Sequence, residues 1–151
     1  MRKIWWWKLK TYFSALLAMS ACVGTLVIVY CGNVCKFSAL EGERTFYLGS
    51  ASSQGLQAQT LTLRDLPYVK GESVAFSVEQ GVGKEALAAE IAKKYDAEIV
   101  FTESVCGVTS YYACSERWQE SVTLYGKKIN LHIAVSEEKC VVGCPIIFGG
   151  F

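Results

Sequence analysis

Residues 84 to 103 read "KEALAAEIAKKYDAEIVFTE", and within that stretch the apolar period changes. Leu87, Ile91 and Tyr95 fall four apart with Ala88 and Ala92 beside them, which draws one apolar stripe along a helix. Glu90 stands three and four residues before Lys93 and Lys94 on the wet side. Gly81 and Gly83 supply the turn into the helix, with Gly83 near its N-cap. From Ala97 the period drops to two, in "AEIVFTE", as in a strand with two unlike faces.

The flanks extend this order. Upstream, "SVAFSVE" alternates, placing Val74, Phe76 and Val78 on one face. Before it, "DLPYVKGE" reads as a connection punctuated by Pro and Gly, and "TFYLGS" and "LQAQTLTL" as short strands around the polar turn "SASSQG". Downstream, "GVTSYYACS" is a strand and "SVTLYGKKINLHIAVS" a hairpin. In the hairpin Val122 and Leu124 enter, Tyr125 to Lys128 turn, and Ile129, Leu131, Ile133 and Val135 return on one face. Asn130, His132 and Ala134 take the other face. Strands, one helix and then hairpin-connected strands specify an α+β domain, one antiparallel sheet covering one side of a single helix. The final "CVVGCPIIFGGF", residues 140 to 151, reads as a last strand closing the core, with an exposed recognised tail as the rival reading. Pro145 cannot donate to a ladder, so this strand is expected to begin there or to lie at an edge, with Phe151 folding back after Gly149 and Gly150.

Ahead of the domain, "YFSALLAMSACVGTLVIVYC" runs from Tyr12 to Cys31 without a charge, Pro, Asn or Gln. About 20 such residues suffice to cross a bilayer as a helix. "MRKIWWWKLK" before it holds Arg2, Lys3, Lys8 and Lys10 and no acid, and its Trp5, Trp6 and Trp7 suit the headgroup region. The apolar core outlasts every early cleavage pattern, so the reading is an uncleaved signal-anchor, single-pass, with the N-terminus cytoplasmic and the C-terminal domain extracytoplasmic; a cleaved signal is the alternative. The expected divisions are a cytoplasmic segment 1–11, a transmembrane helix 12–31, a juxtamembrane linker 32–43 and the α+β domain 44–151. All 14 acidic residues lie beyond Cys31, against 11 of the 15 basic ones, so that portion carries a net charge of −3. It lacks the clustered basic face of a nucleic-acid binder.

"YDAEIVFTESVCGVTSYYACS", "KKINLHIAVS" and "VVGCPI" together resemble the C-terminal part of the YwmB-type family. Those are extracytoplasmic bacterial proteins described as TATA-box-binding-protein-like in fold. The resemblance covers residues 95 to 148, and its most specific pieces are Asn130-Leu131 and Val142-Gly143 before Pro145. It implies a sheet with a helix packed across it, a Gram-positive spore-forming source and no established activity. The fold label suggests DNA, which the outward topology and the acidic domain oppose.

The residues able to carry chemistry are few. Cys106, Cys114, Cys140 and Cys144 belong to the domain; in an oxidising compartment they form disulfides, with three pairings open, or remain free thiols. A Cys140–Cys144 ring around Gly143 is one such pairing. Their spacing meets a zinc pattern only loosely, and no metal or cofactor is expected. His132 is the single histidine and, paired with a domain cysteine, would be needed for a thiol- or metal-dependent enzyme. "EQGVGKEA" fails as a phosphate loop because Val78 and Glu85 occupy the positions of the first Gly and the Ser or Thr. Asn130 and His132 on one strand, with Tyr111, Tyr112 and Trp118 in "SYYACSERW", are the candidates for a binding surface, although packing is the favoured reading of the three aromatics. The functional expectation is a membrane-anchored interaction domain with a protein or cell-wall partner; the alternative is the His132–cysteine enzyme.

Overall fold

The computed structural model describes residues 2–50 and 55–148, and the side chains of residues 2–7, 29 and 31–33 are outside that description. The side-chain role expected of Trp5, Trp6 and Trp7, the centre of the turn "SASSQG" (51–54), and the roles of Gly149, Gly150 and Phe151 therefore lie outside what is described. The chain divides into two compact units, Met1–Cys35 and Lys36–Phe151.

The first unit is one helix, α1 (Arg2–Val34). Its segment Lys8–Ile28 is long and apolar enough to cross a membrane. Leu16, Leu17, Leu26 and Ile28 are all exposed along it. Three of its hydroxyls are satisfied internally: Ser14, Ser20 and Thr25 donate to the carbonyls of Thr11, Leu17 and Ala21 at 2.9, 2.9 and 2.8 Å. Hydrocarbon demands that kind of self-sufficiency, because it offers no water to polar groups.

The second unit is α+β. Its strands are β1 (Glu43–Leu48), β2 (Leu56–Ala58), β3 (Val69–Ser77), β4 (Ala97–Val105), β5 (Val108–Ser115), β6 (Val122–Leu124), β7 (Lys127–Ile129), β8 (Leu131–Val135) and β9 (Lys139–Cys144). One further helix, α2 (Lys84–Lys94), stands between β3 and β4, and Gly83 is its N-cap. Seven strands form one antiparallel sheet in the order β2-β1-β3-β9-β8-β5-β4, and β6 and β7 pair separately. The connection before β3 is shorter than "DLPYVKGE" suggests. Leu66–Tyr68 form one 3-10 turn, and Val69 already pairs with Leu48.

The expected stripe of α2 is its buried face. Ala88, Ile91, Ala92 and Tyr95 pack on Tyr111, Ala113, Leu131, Ile133, Val135 and Val142 of the sheet. Glu85 lies in the first turn of α2, and Lys93 and Lys94 in the last, which complements the helix dipole. Lys94 does not turn back to Glu90; its Nζ donates to the Ala39 carbonyl at 2.9 Å.

That contact belongs to a clamp on the residues just after α1. Phe37 is fully buried, meeting the rings of Tyr95 and Trp118 edge-on at 5.4 and 5.6 Å. The buried Glu72 carboxylate accepts from the backbone N–H of Lys36 at 2.7 Å and of Phe37 at 3.3 Å, and faces Arg44 at 3.5 Å. Arg44 in turn donates to the carbonyls of Phe37 and Leu40 at 2.9 and 3.0 Å. From Lys36 onward the segment read as linker 32–43 is thus part of the domain. One aromatic residue in a short polar stretch carries no period, and its carboxylate partner lies 35 residues away.

Two expectations need correction at the other end of the chain. The last strand is β9, which ends at Cys144 before Pro145 and lies in the middle of the sheet between β3 and β8. Pro145 is kept out of the ladder by strand termination, which satisfies the same constraint differently. Ile146, Ile147 and Phe148 then cross the face of the sheet away from α2, half-buried. The hairpin turn is also tighter than expected. Tyr125 and Gly126 both take left-handed φ, 51° and 75°, as a two-residue turn requires, so Lys127 and Lys128 belong to β7.

Candidate functional site

Strand alternation sends every second side chain to the face opposite α2, here called the open face. On it β4, β5 and β8 present Phe101, Tyr112 and His132 side by side, through the register Phe101↔Tyr112 and Tyr112↔His132. The rings stack: Phe101 on Tyr112 at 4.5 Å and 20°, Tyr112 on His132 at 4.4 Å and 15°. Tyr125 meets Phe101 edge-on at 5.6 Å and Lys127 lies 5.8 Å above the same ring. Tyr112 donates to Glu103 at 3.3 Å.

The row continues through the centre of the sheet. His132 pairs with Gly143, where a side chain would strike Ile147: an added Cβ would lie 2.6 Å from its Cγ1. Ile147 occupies that space, and its N–H donates to Nδ1 of His132 at 3.3 Å. His132 is 4% exposed, and burial pulls its pKa down to about 4, so the ring is neutral near pH 7. Beyond Gly143, Ser73 and Tyr47 share a hydrogen bond at 2.9 Å, Phe148 N–H donates to the Tyr47 hydroxyl at 3.2 Å, and the two rings meet edge-on at 5.2 Å. A cleft of about 340 Å³ opens there, bordered by Tyr47, Ser73, Lys139, Glu43, Gln57 and Phe148.

The five sequence candidates do not share one surface. Tyr112 and His132 come together in the open-face row. Tyr111 is on the helix face, in the core. Trp118 packs against that core with Phe37 and Tyr95. Asn130 is fully buried as a clasp: Oδ1 accepts from Ser115 N–H at 2.7 Å, and Nδ2 donates to the carbonyls of Ser115 and Trp118 at 2.7 and 2.9 Å. Asn130 follows β7 directly and precedes β8, so the alternation that paired it with His132 in sequence breaks at that point.

The cysteines likewise separate. No disulfide forms among the described residues; Cys106, Cys114, Cys140 and Cys144 are free. The Cys140–Cys144 ring fails on length, since four residues of strand span about 13 Å, whereas a disulfide joins Cα atoms about 4.4–6.8 Å apart. Cys140 and Cys144 lie in the helix-side core, across the sheet from His132, and burial pushes their thiols up to about 12 and about 11. Neither supplies a thiolate near neutral pH. Cys106 is in the exposed turn between β4 and β5, and no group of three potential metal ligands occurs among the described residues.

Sequence reasoning missed Tyr47, Ser73, Phe101 and Phe148. Assigning Val74 and Phe76 to the core already puts Ser73 on the other face, but nothing local reveals that β1 and the 146–148 segment meet there. Compared with protein-family models, curated proteins and solved structures, the chain matches none of them.

Proposed function

We propose that this protein is a membrane-anchored binding domain facing the cell envelope, with α1 as its single membrane span and the open face of its sheet as the contact surface. The cleft bordered by Tyr47, Ser73 and Phe148 carries the reading, because it joins convergent polar groups to aromatic walls. The basic residues between Arg2 and Lys10 favour a cytoplasmic N-terminus, and the −3 net charge beyond Cys31 favours a partner other than nucleic acid. The YwmB-type resemblance agrees with an extracytoplasmic place and adds no activity. A benzophenone amino acid at Gln57, on the cleft rim, is expected to capture a partner in living cells, and the same group at Glu90 on α2 is not. Equal capture from both positions, or none from Gln57, rejects the open face as the contact surface.

A further inference from the structure

The chemistry of the cleft selects among ligand classes. Its floor is short side chains, Thr45, Ser73, Ala75 and Val141, from the adjacent strands β1, β3 and β9. One end is walled by the Tyr47–Phe148 pair. The rim carries one carboxylate, Glu43, one ammonium, Lys139, and one amide, Gln57. At about 340 Å³ it lies at the small end of ligand pockets, for which ~300–1,000 Å³ is usual. A compact ligand fits such a space better than a lipid chain or a peptide segment.

The two rim charges balance, and both belong to exposed residues where water and salt screen them. Neither a phosphate nor a cationic ligand is therefore singled out. The remaining groups are hydroxyls: Thr45, and the Tyr47–Ser73 pair, whose shared bond leaves one hydroxyl proton and a Ser73 lone pair to offer. Beside them stands an aromatic side chain that can cover C–H surface. Dense hydroxyl recognition next to an aromatic wall matches a neutral, polyhydroxylated ring.

We infer that this cleft is a saccharide-binding site for a sugar unit of an envelope glycan. Phe148 covers the apolar side of the ring, and Glu43 and Gln57 bond its hydroxyls. The assignment rests on the open face being the binding surface. It is tested on the full chain in lipid nanodiscs, which avoid sugar-headed detergents, by titration with chitotetraose and maltotetraose. The dipeptide alanyl-alanine serves as the zwitterionic comparison.

Saturable binding of at least one oligosaccharide is expected, weakened about tenfold by Glu43→Gln, as loss of a charge-assisted hydrogen bond implies. Gln57→Ala, an exposed change that leaves the fold intact, is expected to weaken it too, and Glu90→Gln to leave it unchanged. Binding of the dipeptide alone, of neither oligosaccharide, or of an oligosaccharide indifferent to Glu43 and Gln57 overturns the assignment. A protein adduct captured from Gln57 in cells, with no oligosaccharide binding, overturns the saccharide while leaving the open face as the contact surface.

Discussion

His132 is the only histidine, so its titration is a single signal that reports on the segment lying over it. Replacing Gly143 by Ala puts a Cβ 2.6 Å from Cγ1 of Ile147 and 3.0 Å from its backbone nitrogen. The second contact is main chain, so the 145–148 segment must lift. Lifting breaks the Ile147–His132 and Phe148–Tyr47 hydrogen bonds, each contributing about 0.5–1.5 kcal/mol, and admits water to the imidazole. In the native protein burial holds that imidazole at about 4 against an ordinary 6.5, which corresponds to about 3 kcal/mol. The folded value lies below the unfolded one, so as pH falls the unfolded chain takes up the proton first. Stability is therefore flat above about pH 6.5, falls between there and about pH 4, and is flat again below. Glu72 acts in the opposite sense: burial raises its carboxyl above 4.5, outweighing the Phe37 and Lys36 N–H groups and Arg44, so it adds stability as pH falls through that raised value. Both proteins share Glu72, and their difference isolates His132. With ¹³C-labelled histidine in the full chain, NMR titration is expected to give a midpoint near 4 in the native protein and one moved toward 6.5 in Gly143→Ala. Pulse proteolysis should show a flatter stability curve for the variant between those pH values. A native midpoint near 6.5, or a midpoint unmoved by the substitution, refutes the account of the lid.

Glu72→Ala leaves the N–H groups of Lys36 and Phe37 without their acceptor, while Arg44 keeps the Phe37 and Leu40 carbonyls, and a loss of about 2–4 kcal/mol is expected for the unsatisfied donors; unchanged resistance in pulse proteolysis would contradict the clamp. Asn130→Ala removes three buried hydrogen bonds and is expected to cost about 2–4 kcal/mol, while Asn130→Asp keeps only the acceptor; if denaturant midpoints rank both with the native protein, Asn130 is not a clasp. In the folded domain Cys106 should alkylate quickly while Cys140 and Cys144 react only on unfolding, which peptide mass spectrometry resolves; equal rates would contradict their burial. An extracytoplasm-dependent reporter fused after Phe151 should be active, and activity of a cytoplasm-dependent one there would invert the proposed topology.

Much of the fold was legible because it depends on period. The stripe Leu87–Ile91–Tyr95 and the alternations around Val74 and Ile133 are local patterns, and each became the face it specified. The apolar run at Tyr12 was equally plain. What stayed hidden depends on distant partners. Phe37 joins the core through Glu72 and Arg44, and no local pattern around Phe37 points to either. Asn130 and His132 look alike as polar residues two apart, yet the end of β7 sends one into a backbone clasp and the other into an aromatic stack. The cleft combines β1, β3, β9 and the 146–148 segment, so half of its walls come from parts of the chain about 100 residues apart, beyond the reach of periodicity.

The central place of β9 bears on how the domain is made. Without residues 139–144, β2-β1-β3 and β8-β5-β4 are two separate half-sheets, each ending in a long unsatisfied edge, β3 on one and β8 on the other. A chain emerging from its N-terminus holds the β3 edge open until β9 arrives about 60 residues later, whereas β8 precedes β9 by only three residues. Such edges invite pairing with neighbouring chains, and non-local strand pairing is slow. The domain thus keeps one adhesive edge through the middle of its synthesis, and shielding β3 in that interval would protect the whole fold.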